Sequence, residues 1–291
     1  MTTRFLNSIA SALCLTGLTL SASAQKLPDV QESPLAAPAN IKVDGKNKEW
    51  NNTFQALNKR TNIYYTIAND DDNLYFAFKS ADATAGAKIL AGGITVGVNP
   101  DGKKKEKERI SMTYPIVPRP NFGGGGQGSG RRMAAGSVIT VAAPSRGGGG
   151  GGNMPSAKQM DSAMVAMQRK RLALVKEIRI SGFKNTTDTL VSIYNEHGIK
   201  AFSSIGSDNT FFCEMAIPLA ELGLTNDHAK EFVYNIKLNG LQLGGGLDGG
   251  GFSGVVMGGG GRQHAGGMSG VNFQDLLSPT DFWGKYTLVK K

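Results

Sequence analysis

Alternation of apolar and polar positions organises the chain between residues 63 and 114. Ile63-Tyr64-Tyr65-Thr66-Ile67 and Leu74-Tyr75-Phe76-Ala77-Phe78 are β-type runs joined by the turn residues Asn69 to Asn73, a pattern that predicts a hairpin. Ile94-Thr95-Val96-Gly97-Val98 follows and closes on the turn Asn99-Pro100-Asp101-Gly102. Ile110 to Tyr114 reads as another strand, stopped by Pro115. Further on, strands are expected at Ile178 to Phe183, Leu190 to Glu196, Ile199 to Ser204, Phe211 to Ile217, Phe232 to Leu243 and Phe282 to Val289. A short helical turn is expected at Leu219 to Leu222.

One segment has helical rather than strand periodicity. Ser156 with Gln159 makes a capping box after Pro155, and Met160, Met164, Met167 and Leu174 recur at helical spacing. This predicts a helix over about 155–177 ending near Lys176, its Met stripe turned to packing, since methionine fills irregular gaps well. So many strands around one inserted helix predict an all-β chain, a jelly-roll-like β-sandwich.

Glycine changes the picture in two places. The chain has 40 Gly in 291 residues, concentrated at 121–152 and 244–270. Backbone this rich in Gly loses too much entropy on ordering to fold regularly, so both stretches are expected as flexible insertions in the sandwich. Within the first, Val138-Ile139-Thr140-Val141 is β-branched and could form a short strand.

The amino terminus reads as an address. Arg4, the apolar run Phe5 to Leu20 and the small residues Ala22-Ser23-Ala24 have the form of a secretory signal peptide over 1–24. The mature chain is then expected to start at Gln25 and to work in the periplasm or outside the cell. Cys14 lies inside the apolar run after Leu13, which argues against a lipoprotein. Residues 25–40, rich in Pro and Ala, read as an extended lead-in to a domain over 41–291. No later window approaches the roughly 20 apolar residues of a membrane-crossing helix. Loss of the leader leaves Cys213 as the only thiol, so the domain is held by its core and not by disulfides. The net charge of +9 favours anionic surfaces, and export argues against nucleic acid among them.

Ile41-Lys42-Val43-Asp44-Gly45-Lys46-Asn47-Lys48-Glu49-Trp50 has the form apolar-x-apolar-Asp-Gly-x-x-x-Glu-Trp at the head of the domain. With the acidic turn leading into Asp72 to Phe78, the strand ending Ala216-Ile217-Pro218-Leu219-Ala220-Glu221-Leu222-Gly223 and the closing Trp283-Gly284-Lys285-Tyr286, it resembles the family 9 carbohydrate-binding modules and their DOMON-like relatives. The resemblance implies a jelly-roll-like sandwich that binds sugar, and it casts Asp44, Gly45, Glu49, Trp50 and Pro218 as framework. Trp50 and Trp283 fall in framework motifs, so no pair of aromatic rings is free to sandwich a sugar. A ligand site is sought at Trp283 together with Arg262, Gln263 and His264 of the second Gly-rich stretch. Asp70, Asp71 and Asp72 are either calcium ligands or a solvated turn. Lys103 to Arg109 reads as a solvated charged loop.

Catalytic signatures are missing. His197, His228 and His264 show no metal-ligand spacing, no Gly-x-Ser-x-Gly elbow occurs, and no phosphate loop closes either Gly-rich stretch. The Arg-Gly pairs there are too few for an RNA-binding tract. The expectation is therefore a binding protein for carbohydrate or another envelope component and not an enzyme. A haem-binding DOMON-like protein with Met and His axial ligands, or a structural partner protein of the envelope, is the alternative.

Overall fold

The computed structural model describes residues 26–107, 109–118, 156–225, 231–241, 271 and 273–290. The leader, both Gly-rich stretches, Val138 to Val141, His228 and Arg262 to His264 lie outside them. The expected hairpin is formed by β2 (Ile63–Asn69) and β3 (Asn73–Ser80), with Tyr65 opposite Phe78 and Ile67 opposite Phe76. That register puts Ile63, Tyr65, Ile67, Leu74, Phe76 and Phe78 on one face, and all six are fully buried. A one-residue slip would turn every one of them to the other side, so the hydrophobic pattern fixes the pairing.

β1 (Ala56–Asn58), β2, β3, β9 (Phe211–Pro218) and β8 (Lys200–Ile205) form, in that order, a five-stranded antiparallel sheet. Facing it is a six-stranded sheet in the order β11 (Thr280–Thr287), β10 (Glu231–Leu238), β4 (Ile94–Asn99), β5 (Ile110–Tyr114), β6 (Glu177–Ser181) and β7 (Leu190–Ser192). The two inner faces share one core in which Val96, Met112, Ile178, Phe232 and Ile236 meet Phe76, Met215 and Ile217. The chain is thus an all-β sandwich.

Several boundaries differ from the sequence reading, each for a local reason. β6 stops at Ser181 because Gly182 takes a φ of +75°, and β10 stops at Leu238 before Gly240 at +68°. β7 spans only Leu190–Ser192; Asn195 then bonds back to the Ser192 and Ile199 carbonyls through its side chain and forms a turn in place of a strand. The helix α2 (Ala157–Ala173) has the expected capping box but ends before Lys176. Leu174 caps it and is 63% exposed, whereas Leu172 and Val175 are buried, so the packing face is set by those two and not by Leu174.

A helix missed by the sequence reading, α1 (Ala83–Gly92), links the two sheets. Asp82 caps it by accepting from the Ala85 N–H at 2.7 Å, and Gly93 ends it with a φ of +81°. It packs on α4 (Phe273–Leu277) through Ala87, Leu241 and Leu276. The expected helical turn is α3 (Leu219–Leu222).

Nor is the lead-in a loose tether. The side chain of Gln31 accepts from the Ile67 N–H at 2.7 Å and donates to the Ile67 carbonyl at 2.8 Å, imitating a strand partner. Ala37 and Leu35 bond to Asn69 in the same manner through their backbones. Together they cover the part of β2 that short β1 leaves unpaired, which satisfies an otherwise open sheet edge.

β5 and β10 both pair antiparallel with β4, so their carboxyl ends lie at one end of the six-stranded sheet, where Ile94 pairs with both Leu238 and Tyr114. The chain leaves both strands toward the two Gly-rich stretches from that same end.

Candidate functional site

Two polar constellations stand on opposite outer faces of the sandwich. The first explains the Asp-Gly-x-x-x-Glu-Trp motif. On the outer face of the five-stranded sheet, β9 carries Glu214, buried to 1% exposure. Its Oε1 accepts from the Trp50 indole N–H at 2.7 Å, and its Oε2 accepts from the backbone N–H groups of Gly45 at 2.8 Å and Asp44 at 3.2 Å. Burial raises the Glu214 carboxyl to about 7, against the pull of these three donors, which favour the ionised form. Trp50 sits in a small cluster with Phe54, Tyr75, Phe212 and Ala216, which closes the outer face of this sheet.

Gly45 is demanded by geometry. Its φ is +76°, and a Cβ there would overlap the Phe202 ring. Its carbonyl accepts from the Ser204 hydroxyl at 2.8 Å. Asp44 accepts from the Lys46 N–H and ammonium, which hold its carboxyl below the usual range. Glu49 is half-buried with its Oε2 unpartnered, and Pro218 ends β9 and begins α3. These residues build a strap across the sheet.

The second constellation is on the outer face of the six-stranded sheet. Register aligns Trp283, Asn235, Gly97 and Ser111 across β11, β10, β4 and β5. Gly97 leaves room for the Arg109 side chain to cross the sheet; a Cβ at position 97 would lie 2.5 Å from Arg109 Cδ. Arg109 donates to Asn235 Oδ1, while Asn235 Nδ2 donates to Asp281 Oδ2 at 3.0 Å and to the Phe282 carbonyl at 2.9 Å. Arg109 also pairs with Glu106 at 3.4 Å, and Lys237 reaches the same carboxylate at 3.2 Å. The Lys237 hydrogen bond, aided by the charges of Lys237 and Arg109, keeps Glu106 ionised below the ordinary range.

Beside this row Trp283 opens on a cleft of about 350 Å³ that is also lined by Gln31, Glu32, Ser33, Lys104 and the bonded pair Lys285 and Glu231, 2.8 Å apart. The lead-in forms one side because the Tyr286 hydroxyl donates to the Leu35 carbonyl at 3.0 Å. Lys104 arrives from the β4–β5 connection, which Asn99 ties back by donating to the carbonyls of Lys103 and Lys105. Trp283 is half-buried and lines the cleft. Thus the aromatic ring singled out in the closing motif borders a cavity, and the other three residues sought with it, Arg262, Gln263 and His264, lie outside the described residues.

The acidic turn has a built structure of its own. Asp70 Oδ1 accepts from the N–H groups of Asp72 and Asn73 at 3.0 and 2.7 Å, and Oδ2 accepts from the Tyr75 hydroxyl at 2.8 Å. Burial works to raise its pKa, but these bonds outweigh it and hold the carboxyl below the usual range. Among the described residues no group of three or more His, Cys, Asp or Glu side chains is arranged to hold a metal ion. Cys213 is fully buried in the core, and burial pushes its thiol well above the ordinary range. His197 lies half-buried in the turn between β7 and β8, while Met112 and Met215 are core residues. Among the described residues no helix is long and apolar enough to cross a membrane.

Gln31, Asn235 and Glu214 carry these two constellations and were not singled out from the sequence. Gln31 has no local signature, because its partner lies 36 positions away. Asn235 and Glu214 interrupt apolar strand runs as lone polar residues, and a lone polar residue amid apolar neighbours is the one sequence sign of a buried network. Comparison with known protein families, curated proteins and solved structures finds no match.

Proposed function

We propose that this chain is an exported, non-catalytic saccharide-binding protein of the family 9 carbohydrate-binding type, with its ligand seated in the cleft beside Trp283. The observation that carries the reading is a half-buried tryptophan, Trp283, lining a cleft that also holds the charged and amide side chains of Gln31, Glu32, Lys104, Glu231 and Lys285. Pyranose rings pair an apolar C–H face with a rim of hydroxyls, and such sites combine an aromatic surface with a few placed polar groups. Trp283 supplies the first. Lys285 and Glu231, already bonded to one another, Lys104 and Glu32 supply donors and acceptors for hydroxyls.

Charge balance supports a polar, uncharged ligand here although the whole chain is basic. In the cleft Lys104 and Lys285 stand against Glu32 and Glu231, and along the adjoining row Arg109 and Lys237 stand against Glu106 and Asp281. The surplus of positive charge lies elsewhere. The test is a glycan-array screen of residues 25–291, with and without calcium. Retention on pyranose-containing glycans that free sugar competes away supports the reading; silence across the array, or a Soret band in the purified protein, removes it in favour of the envelope or haem alternatives.

A further inference from the structure

Four large apolar side chains stand exposed among the described residues: Leu174, Leu190, Tyr194 and Phe202. Phe202 lies against Gly45 of the strap. The other three gather where the end of α2 meets β6 and β7, far along the sheet from Trp283. Leu174 is 63% and Tyr194 78% exposed, values that would be unfavourable for side chains with an apolar partner available within the fold.

Each of the three is accompanied by a cation. The Ile193 N–H bonds to the Lys176 carbonyl at 2.9 Å, which brings the β7 turn to the α2–β6 junction, and Lys176 Nζ lies 5.8 Å from the centre of the Tyr194 ring. Leu190 is paired in register with Arg179. Leu174 follows Lys170 and Arg171 in the last turn of α2, and Val175 beside it is turned into the core. Around this corner the four cations Lys170, Arg171, Lys176 and Arg179 outweigh the three acids Glu177, Asp188 and Glu196.

We propose that this corner is a docking surface for an anionic phospholipid membrane. An exposed tyrosine and leucines flanked by lysine and arginine are the side chains that partition into a headgroup region, where ring and aliphatic groups enter the interface and the cations meet lipid phosphate. The apolar groups project singly from a helix end, a turn and a sheet edge. Separate insertion between headgroups suits that arrangement, and the surplus of positive charge selects an anionic leaflet. The surface is independent of the Trp283 cleft, so a protein resting on lipid through this corner keeps the cleft free.

The test is vesicle sedimentation of the full chain with phosphatidylcholine vesicles and with phosphatidylcholine vesicles containing phosphatidylglycerol. The expected result is partitioning onto the phosphatidylglycerol vesicles alone, weakened by salt. Lys170→Gln and Lys176→Gln should each lower it about fivefold, the equivalent of about 1 kcal/mol per surface cation. Leu174→Ser with Tyr194→Ser should abolish it while the melting temperature stays unchanged, and Lys42→Gln, on the strap, should have no effect. Failure to sediment with either vesicle, equal sedimentation with both, or retention on soluble polyglutamate that survives the Leu174→Ser/Tyr194→Ser change would each overturn the proposal, the last by showing a plain polyanion site.

Discussion

Replacing Trp50 by Phe removes one hydrogen bond from the strap and little else, so it isolates the role of Glu214. Phenylalanine keeps most of the ring packing against Phe54, Tyr75 and Phe212, but the 2.7 Å bond from the indole N–H to Glu214 Oε1 is lost. A bond to a neutral group is worth about 1 kcal/mol and one to a charged group about 1.5–3 kcal/mol. Since the Glu214 carboxyl is raised from 4.5 to about 7, it is protonated well below neutrality and ionised well above it. The loss caused by Trp50→Phe should therefore grow from about 1 kcal/mol in mild acid to about 2–3 kcal/mol in mild alkali.

The wild-type protein carries a linked signature. A carboxyl whose folded pKa exceeds its unfolded value stabilises the fold while both states are protonated, and that contribution is lost as pH rises from 4.5 toward about 7. At 1.36 kcal/mol per unit the loss is about 3 kcal/mol, and Glu214→Gln should abolish this part of the pH dependence. Urea denaturation midpoints of the wild type, Trp50→Phe, Glu214→Gln and the double variant across this pH range supply a thermodynamic cycle. A coupling near zero at every pH, or a Trp50→Phe cost that shrinks in alkali, would refute the reasoning that the strap hangs on this carboxyl.

Other expectations follow from single positions. Gly45→Ala should cost about 1–3 kcal/mol in chemical denaturation, because its φ of +76° is strained for alanine and the Phe202 ring occupies the Cβ position; adding Phe202→Ala should recover part of the loss and leave the backbone strain. Asp70→Ala should lower stability by about 1–3 kcal/mol, since the N–H groups of Asp72 and Asn73 lose their acceptor; as the Asp70 carboxyl is held below its usual range, its contribution should fade as the solution is acidified through that lowered pKa, and calcium should not move the melting temperature. Mass spectrometry of the protein from its native envelope should show a chain starting at Gln25, and an intact Met1 would contradict export by this leader.

The hairpin, the positions of most strands along the chain and the capping box of α2 were legible in the sequence because each depends on neighbours in the chain: alternation, turn residues and cap spacing. α1 was overlooked although Asp82 and Gly93 bracket it. It has only ten residues and two are Gly, so its helical periodicity is short and weak. The Met stripe was extended one step too far, to Leu174, because periodicity alone does not reveal where a helix cap turns the chain outward. Trp50 and Gly45 could be recognised as a motif, but their reason could not: it is Glu214, more than 160 positions away. The same holds for the Trp283 cleft, whose lining comes from the lead-in, the β4–β5 connection, the start of β10 and the edge strand β11. No local pattern encodes that meeting, and only the strand register sets Trp283 beside Asn235 and Gly97.

The central claim is that the indole face of Trp283 is a sugar platform. Isothermal titration of the glycan that binds best on the array, into the wild type and into Trp283→Ala, tests it most directly. Trp283 is half-buried on the outer face and outside the shared core, so the variant should remain folded, with an unchanged β-type circular dichroism spectrum. The account predicts that this variant loses binding by about tenfold or more, the equivalent of about 1.5–3 kcal/mol for a removed aromatic contact. A folded Trp283→Ala protein that binds the glycan with wild-type affinity would contradict it.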